Sequence, residues 1–265
     1  YDSIDNITQI VQPGQRIYSY DYDPSGNLTK ATDPLGNATE YHYNNNNAVS
    51  EIINARGFSK KYEYNGLNQV EKATDERNYT TTYDYYPGGL LKSVTDPLNN
   101  TTSYTYNAVN NVDTIQNALL ETTIFNYDFF DNTTSIKDSR GVTTTNVYNA
   151  SNQNVFTYDT ENNFTQNEYY PNGDLRKTTD QEGRVTEYYY DALHRVTKTV
   201  EPNGLVKNYI YDKGTGDLIK VYDNAGQETT YIYDKMHRLL SEKDIQGLVT
   251  SYTYDVFGNL TSKTT

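Results

Sequence analysis

The chain has 265 residues, a formal net charge of −13, no cysteine and no tryptophan. The acidic balance excludes nucleic acid and anionic membrane surfaces as partners, since both need a basic face; the lack of cysteine excludes disulfide staples and thiolate metal sites. A mean hydropathy of −0.87 would suit a disordered chain, but 29 tyrosines argue for a fold, because each ring can fill a core while its hydroxyl keeps the chain polar by score. No run approaches the apolar length of a membrane span and no segment resembles a signal peptide, so no membrane insertion is expected and any targeting segment lies elsewhere.

Read from the first residue onward, the sequence repeats itself. The second Tyr of each Tyr-x-Tyr pair falls at Tyr22, Tyr43, Tyr64, Tyr85, Tyr106, Tyr127, Tyr148, Tyr169, Tyr190 and Tyr211, each 21 residues after the last. The next step is 22 residues, to Tyr233, and the last is 21, to Tyr254; Tyr1 stands 21 residues before Tyr22. The extra residue falls in Lys213-Gly214-Thr215-Gly216, a turn tip where insertions cost little. Residues 1–265 are therefore expected to form a single array of about twelve repeats plus a partial one. Both ends fall inside a repeat and the chain begins with Tyr1, which reads as a segment of a larger protein.

Each repeat carries two turn signals. In the stretch Tyr22-Asp23-Pro24-Ser25-Gly26-Asn27-Leu28 the first turn centres on Gly26, and its counterparts include Asn47, Asn68, Asn110, Asp131, Asn152, His194 and His237. These are the residue types that best tolerate positive φ. The second turn, Asp33-Pro34-Leu35-Gly36, has Gly57, Asn78, Asn99, Gly141, Asn162 and Gly183 at the same place in later repeats. Two turns leave two short segments per repeat, rich in Thr, Tyr, Val and Ile and too short for packed helices, so both are predicted to be strands. In the first, Thr39, Tyr41 and Tyr43 share one face while Glu40 and His42 share the other. In the second, the apolar positions Leu28 and Ala31 lie three apart, which breaks alternation and predicts a bulge or a strand start between them. The fold class is then all-β: tandem antiparallel hairpins, roughly 25 strands running on the order of 120 Å along the hydrogen-bonding direction, coiled into a spiral or shell-like solenoid because large open sheets do not stay flat.

Residues that break the pattern are the candidate contact positions. Asn146 and Asn167 stand where the first Tyr of the pair belongs, and Asn154 replaces the Leu or Val after the turn; this is repeat drift or a cavity-lining site. Tyr86, Tyr170 and Tyr189 also fall outside the pattern and are expected to be exposed. An exposed tyrosine row could stack on sugar rings, whereas inward rings would pack on neighbouring repeats. No catalytic residue, cofactor site or metal site is assigned. His194 and His237 occupy turn positions, and His42 lies opposite the Tyr pair. Asp21-Tyr22-Asp23-Pro24-Ser25-Gly26 looks like the start of a calcium loop, but Thr32 stands where an EF-hand needs Glu. The Asp after the second Tyr is expected to accept turn hydrogen bonds instead. Sequons such as Asn27-Leu28-Thr29 and Asn78-Tyr79-Thr80 arise automatically where a turn Asn precedes a strand Thr.

The motif Tyr22-Asp23-x-x-Gly26-Asn27-Leu28, followed by Thr32-Asp33-Pro34-x-Gly36, resembles the YD repeat of the RHS, teneurin and bacterial wall-associated families, across the whole chain. The resemblance implies hairpins wound into a hollow β-spiral on an exported or surface-attached protein. In bacterial members the shell commonly encloses a C-terminal toxin; in teneurins it belongs to an adhesion receptor, and some repeats of this kind are described as carbohydrate-binding. No toxin domain and no core segment of the kind that precedes one is present in the 265 residues. The expected function is a structural shell or scaffold that encloses cargo or presents a terminal domain at the cell surface or cell wall. The alternative is an adhesive or carbohydrate-binding module; an enzyme is not expected. The implied partners are other segments of the parent protein, including an encapsulated C-terminal domain, and cell-surface glycans or proteins.

Overall fold

The computed structural model describes residues 1–12, 16–255 and 258–265. The chain divides into two compact units, one comprising Tyr1–Asn126 with Ile136–Gly141 and the other Tyr127–Ser135 with Val142–Thr265. Among the described residues there are 25 strands and no helix. In the first unit, Arg16–Tyr22 pairs antiparallel with Leu28–Thr32, which pairs in turn with Ala38–Tyr43. In the second, Thr143–Tyr148 pairs with Asn154–Tyr158, and that strand with Phe164–Tyr169. In each unit the strands named here are joined by tight turns, so each lies beside its neighbour in sequence and needs no crossover.

The turns form where the sequence marks them. Gly26, Asn47 and His194 have φ of 83°, 59° and 61°, the left-handed region that Gly and short polar residues enter most cheaply. Leu120 is a departure: it takes φ of 63° at a second-turn tip with no side chain suited to it. Most turns are closed by a leading Asp or Asn. Asp23 Oδ1 accepts from the backbone N–H groups of Ser25 and Asn27, both at 2.9 Å, and Asp23 Oδ2 accepts from Asn27 Nδ2 at 2.9 Å. Asp33 repeats the pattern with Leu35 and Asn37. The Asn27 side-chain amide holds the Asp23 carboxyl below its usual range, helped by backbone N–H groups. Asp23 thus directs its oxygens at its own turn, as expected of the Asp after the second Tyr.

The expected bulge is present. Tyr22 pairs with Leu28 but Asp21 pairs with Lys30, leaving Thr29 unpaired; the same skip follows Tyr43, Tyr64 and Tyr85 in the first unit and Tyr148 and Tyr169 in the second. On its other side, the strand Leu28–Thr32 pairs with Ala38–Tyr43 only from Lys30 to Thr32. The carbonyl of Leu28 therefore lacks a ladder partner on that side, and Tyr43 supplies one, its hydroxyl donating at 2.7 Å. Tyr64, Tyr85 and Tyr106 do the same to Val49, Val70 and Leu91. In these repeats the second Tyr of the pair thus fastens its repeat to the preceding one by satisfying a backbone acceptor that would otherwise go unmet.

Burial alternates along the first strands: in Ala38–Tyr43, His42 is exposed between half-buried Tyr41 and Tyr43. Yet among the described residues no hydrophobic side chain is buried, and only Ser93, Thr199 and Thr250 fall in the buried class. The opposite face in the first unit carries cross-strand ion pairs, Lys30–Glu40 at 3.1 Å and Lys72–Glu63 at 2.7 Å. Such exposed pairs contribute little to stability, on the order of 0–1 kcal/mol, but they make that face hydrophilic.

Candidate functional site

The irregular stretch from Asn146 to Asn167 lies in the second unit. Asn146 projects from the strand Thr143–Tyr148 at the first-Tyr position. Its Nδ2 donates to the Thr133 carbonyl at 3.0 Å, and its Oδ1 accepts from Asn154 Nδ2 at 3.1 Å and Thr157 Oγ1 at 3.0 Å. Asn167 Nδ2 donates to the Asn154 carbonyl at 3.3 Å, beside the Tyr169 hydroxyl at 2.8 Å. Where other repeats place rings and aliphatic groups, this one therefore has a partnered amide network, and the structure joins Asn146 and Asn167 through Asn154. A partnered network of this kind carries no unmet polar atom to penalise the replacement.

The opposite face of the same strands changes in the reverse sense. Phe156, Tyr158 and Phe164 cluster there, with ring centroids 5.9 Å apart for Phe156–Tyr158, 5.7 Å for Phe156–Phe164 and 5.6 Å for Tyr158–Phe164. Phe164 and nearby Val147 are both 41% exposed. Sequence reading missed this cluster. The signal was available: Phe156 falls 84 residues, four periods, after Lys72, and Phe164 falls 84 after Thr80. Beside the cluster runs an open groove of about 880 Å³ that includes Phe156, Gln166, Glu168 and Tyr170 in its lining.

Tyr86 and Tyr170 take the place of the turn Asp in Tyr-Tyr-Pro sequences. Tyr86 still closes its turn through backbone bonds with Leu90 and Gly89, both 2.8 Å, but its side chain reaches the next repeat. The Tyr86 hydroxyl donates to the Tyr104 carbonyl at 3.0 Å, and the ring meets Tyr106 edge-on at 6.2 Å. Tyr170 repeats this with the Tyr188 carbonyl at 3.2 Å and Tyr190 at 6.3 Å. Tyr189 donates its hydroxyl to Glu187 at 2.8 Å, and Lys198 Nζ stands 3.6 Å from its ring centroid; the bond to Glu187 pushes its phenol above the usual range. All three were expected to be exposed, and all three are half-buried. For Tyr86 and Tyr170 the reason is size, since a ring at a turn-leading position is long enough to reach the adjacent repeat; Tyr189, within the strand Val185–Tyr190, is covered by Lys198 instead.

His194 Nδ1 lies 2.9 Å from both carboxylate oxygens of Asp174, and His237 Nδ1 lies 2.9 Å from Asp217 Oδ1. Both link turn tips of successive repeats, as Asn27 Nδ2 does with Asn47 Oδ1. No group of three or more His, Cys, Asp or Glu side chains that could hold a metal occurs among the described residues.

No match was found among curated protein sequences. Among solved structures, the crystal structure of TcdB2-TccC3 without its hypervariable C-terminal region matches 99% of this chain and 18% of its own length, at 16% identity and a TM-score of 0.65. The Photorhabdus luminescens Tc holotoxin pore carrying the TccC3 D651A mutation matches 96% of the chain and 18% of its own, at 15% identity and a TM-score of 0.64. The chain thus spans under a fifth of the structures whose fold it shares. The model of the RHS repeat matches residues 1–38, 22–59, 85–119, 169–206, 211–244 and 237–265, which together make up more than half of the sequence. With its 21-residue two-turn unit, bulged hairpins and repeat-to-repeat tyrosine bonds, this chain belongs to the RHS-repeat family.

Proposed function

We propose that this array is a non-catalytic wall segment of a larger exported RHS-type protein, one that encloses cargo or holds a terminal domain at the cell surface. The observation that carries the reading is the absence of a core: no hydrophobic side chain among the described residues is buried, although one face presents half-buried tyrosines in every regular repeat. Half-covered aromatic rows suit a wall whose inner surface is completed by other parts of the same protein. The polar outer face with its ion pairs suits contact with water. Limited proteolysis of the full-length gene product tests the reading. A domain following the array should resist protease until the array itself is cut or unfolded. Its immediate digestion, with the array intact, would rule out enclosure and leave presentation.

A second reading has its own support. The Phe156–Tyr158–Phe164 cluster beside the groove, with Phe164 exposed and the other two rings half-buried, favours an adhesive or glycan-binding role for that face, since aromatic faces flanked by amide and carboxylate groups fit sugar rings. A glycan array with no hits, or hits that survive Phe156→Ala, would count against it.

A further inference from the structure

The sequence holds ten Asn-x-Ser/Thr sequons, and the fold treats them unequally. In seven, the side-chain amide of the Asn donates to the Asp four residues earlier, as Asn27 does to Asp23 at 2.9 Å and Asn37 to Asp33 at 2.8 Å. In an eighth, Asn149 Nδ2 donates to Gln153 at 3.0 Å. That nitrogen is the atom an N-linked sugar is attached to, so linkage there takes a proton from the donor and places a bulky substituent against its acceptor. Two sequons escape the clamp. Asn78 and Asn99 sit at second-turn tips with φ of 64° and 65°; their backbone N–H groups close the turn onto Asp75 and Asp96, both at 3.0 Å. Both are exposed, and neither side chain makes a hydrogen bond. Their sequon hydroxyls, on Thr80 and Thr101, each share one bond with a strand threonine, at 2.8 Å to Thr74 and 2.9 Å to Thr95, which leaves acceptor capacity on each oxygen.

We propose that Asn78 and Asn99 are the N-glycan acceptor sites of this array, and that the folded turn withholds the other sequons from modification. The donor is a polyprenyl-diphosphate-linked oligosaccharide. The Asn amide nitrogen attacks the anomeric carbon, the carbon–oxygen bond to the diphosphate breaks, polyprenyl diphosphate leaves, and the amide gives up one proton. The two sites fall one repeat apart, at equivalent positions of successive second turns, so two glycans would stand on the order of 10 Å apart along one edge of the first unit's sheet. A pair so placed would cover exposed turn tips, the sites most open to proteolysis.

The test uses the purified folded chain, a single-subunit oligosaccharyltransferase proven on a reporter peptide, and a polyprenyl-diphosphate oligosaccharide, with occupancy mapped by mass spectrometry. Expected is occupancy at Asn78 and Asn99 about tenfold or more above that at Asn27 and Asn37, the size of effect a charge-assisted hydrogen bond would impose. The same chain unfolded in a tolerated concentration of urea should lose that preference, because the fold creates it. Asp33→Ser, which keeps an oxygen for the turn but releases the Asn37 amide, should raise occupancy at Asn37. Asn78→Gly and Asn99→Gly, which keep the positive-φ turn, should each remove one glycan without loss of fold by circular dichroism. Equal occupancy at clamped and free sequons, no transfer to Asn78 and Asn99, or a preference that persists in the unfolded chain would each overturn the proposal.

Discussion

Two stretches 84 residues apart show what a repeat of this family must keep and what it can change. Tyr62–Thr80 in the first unit is regular; Asn146–Phe164 in the second is its counterpart four periods later. The backbone is the same in both: Tyr64 pairs with Val70 and Glu63 with Lys72, while Tyr148 pairs with Asn154 and Val147 with Phe156. Both second tyrosines donate to a carbonyl of the preceding repeat, Tyr64 to Val49 at 2.6 Å and Tyr148 to Thr133 at 3.0 Å. The faces, however, have exchanged character. Tyr62, Val70 and Ala73 become Asn146, Asn154 and Thr157, while Lys72, Thr74 and Thr80 become Phe156, Tyr158 and Phe164. Turns, bulge and one tyrosine hydroxyl therefore specify the hairpin. The polarity of each face can be set repeat by repeat, provided every displaced polar group finds a partner.

The largest effect is expected where that proviso is broken. Asn146→Leu removes three hydrogen bonds and strands the Asn154 amide, and should destabilise the second unit by about 2–3 kcal/mol in denaturant unfolding. Changing Asn146, Asn154 and Thr157 together to Tyr, Val and Ala should recover most of that loss; if the single and triple variants are equally unstable, the network is not what holds the face together. A smaller effect separates the two tyrosines. Tyr64→Phe leaves the Val49 carbonyl without its donor and should cost about 1–2 kcal/mol. Tyr148→Phe should cost less than about 1 kcal/mol, because Asn146 Nδ2 continues to donate to the Thr133 carbonyl at 3.0 Å. Equal losses would break the comparison.

Turn chemistry can be compared in the same way. The tip residue Asn99 takes φ of 65° and its successor one repeat on, Leu120, takes 63°. Leu120→Gly should stabilise the first unit by about 0.5–1 kcal/mol, since Gly relieves the strained conformation; a loss of stability would show that the leucine side chain contributes more than the strain costs. The smallest expected effect is electrostatic. The Asn163 amide holds the Asp159 carboxyl below its usual range. A lowered folded-state pKa contributes stability that is present above the unfolded carboxylate value of about 3.9 and lost as pH falls through the folded value. Turns led by Asn65 or Asn149 carry no such proton. Asp159→Asn should therefore flatten the acid limb of the stability profile while leaving stability at neutral pH nearly unchanged. An unaltered acid limb would show that this turn does not contribute to acid sensitivity.

Much of the fold was legible because its signals are local. Positive φ at Gly26, Asn47 and His194 follows from which residues tolerate that region, and the bulge after Leu28 follows from the spacing of Leu28 and Ala31. The candidate site was legible only as anomaly. Asn146, Asn167, Tyr86, Tyr170 and Tyr189 could be picked out as departures, but not what they touch. The bonds of Asn146 to Thr133, of Tyr86 to Tyr104 and of Tyr170 to Tyr188 cross strands and repeats, and periodicity gives positions without giving partners. The Phe156–Tyr158–Phe164 cluster stands on the face away from the tyrosine pairs, where the periodic Tyr signal carries no information.

The sequence by itself determined the 21-residue period, the two turns, the strand order and the face on which each side chain stands. All of these depend on interactions within a few residues, where φ preferences and side-chain alternation decide the outcome. Only the tertiary structure decided that the second tyrosine of a pair serves a carbonyl fifteen residues back, as Tyr43 serves Leu28. That bond exists because the bulge ends the ladder early and leaves an acceptor open to the next repeat. The clamp on the turn asparagines, by contrast, is local, within four residues. The clamp depends on whether a turn Asn stands four residues after an Asp and folds back onto it, or sits at the tip with its amide in solvent.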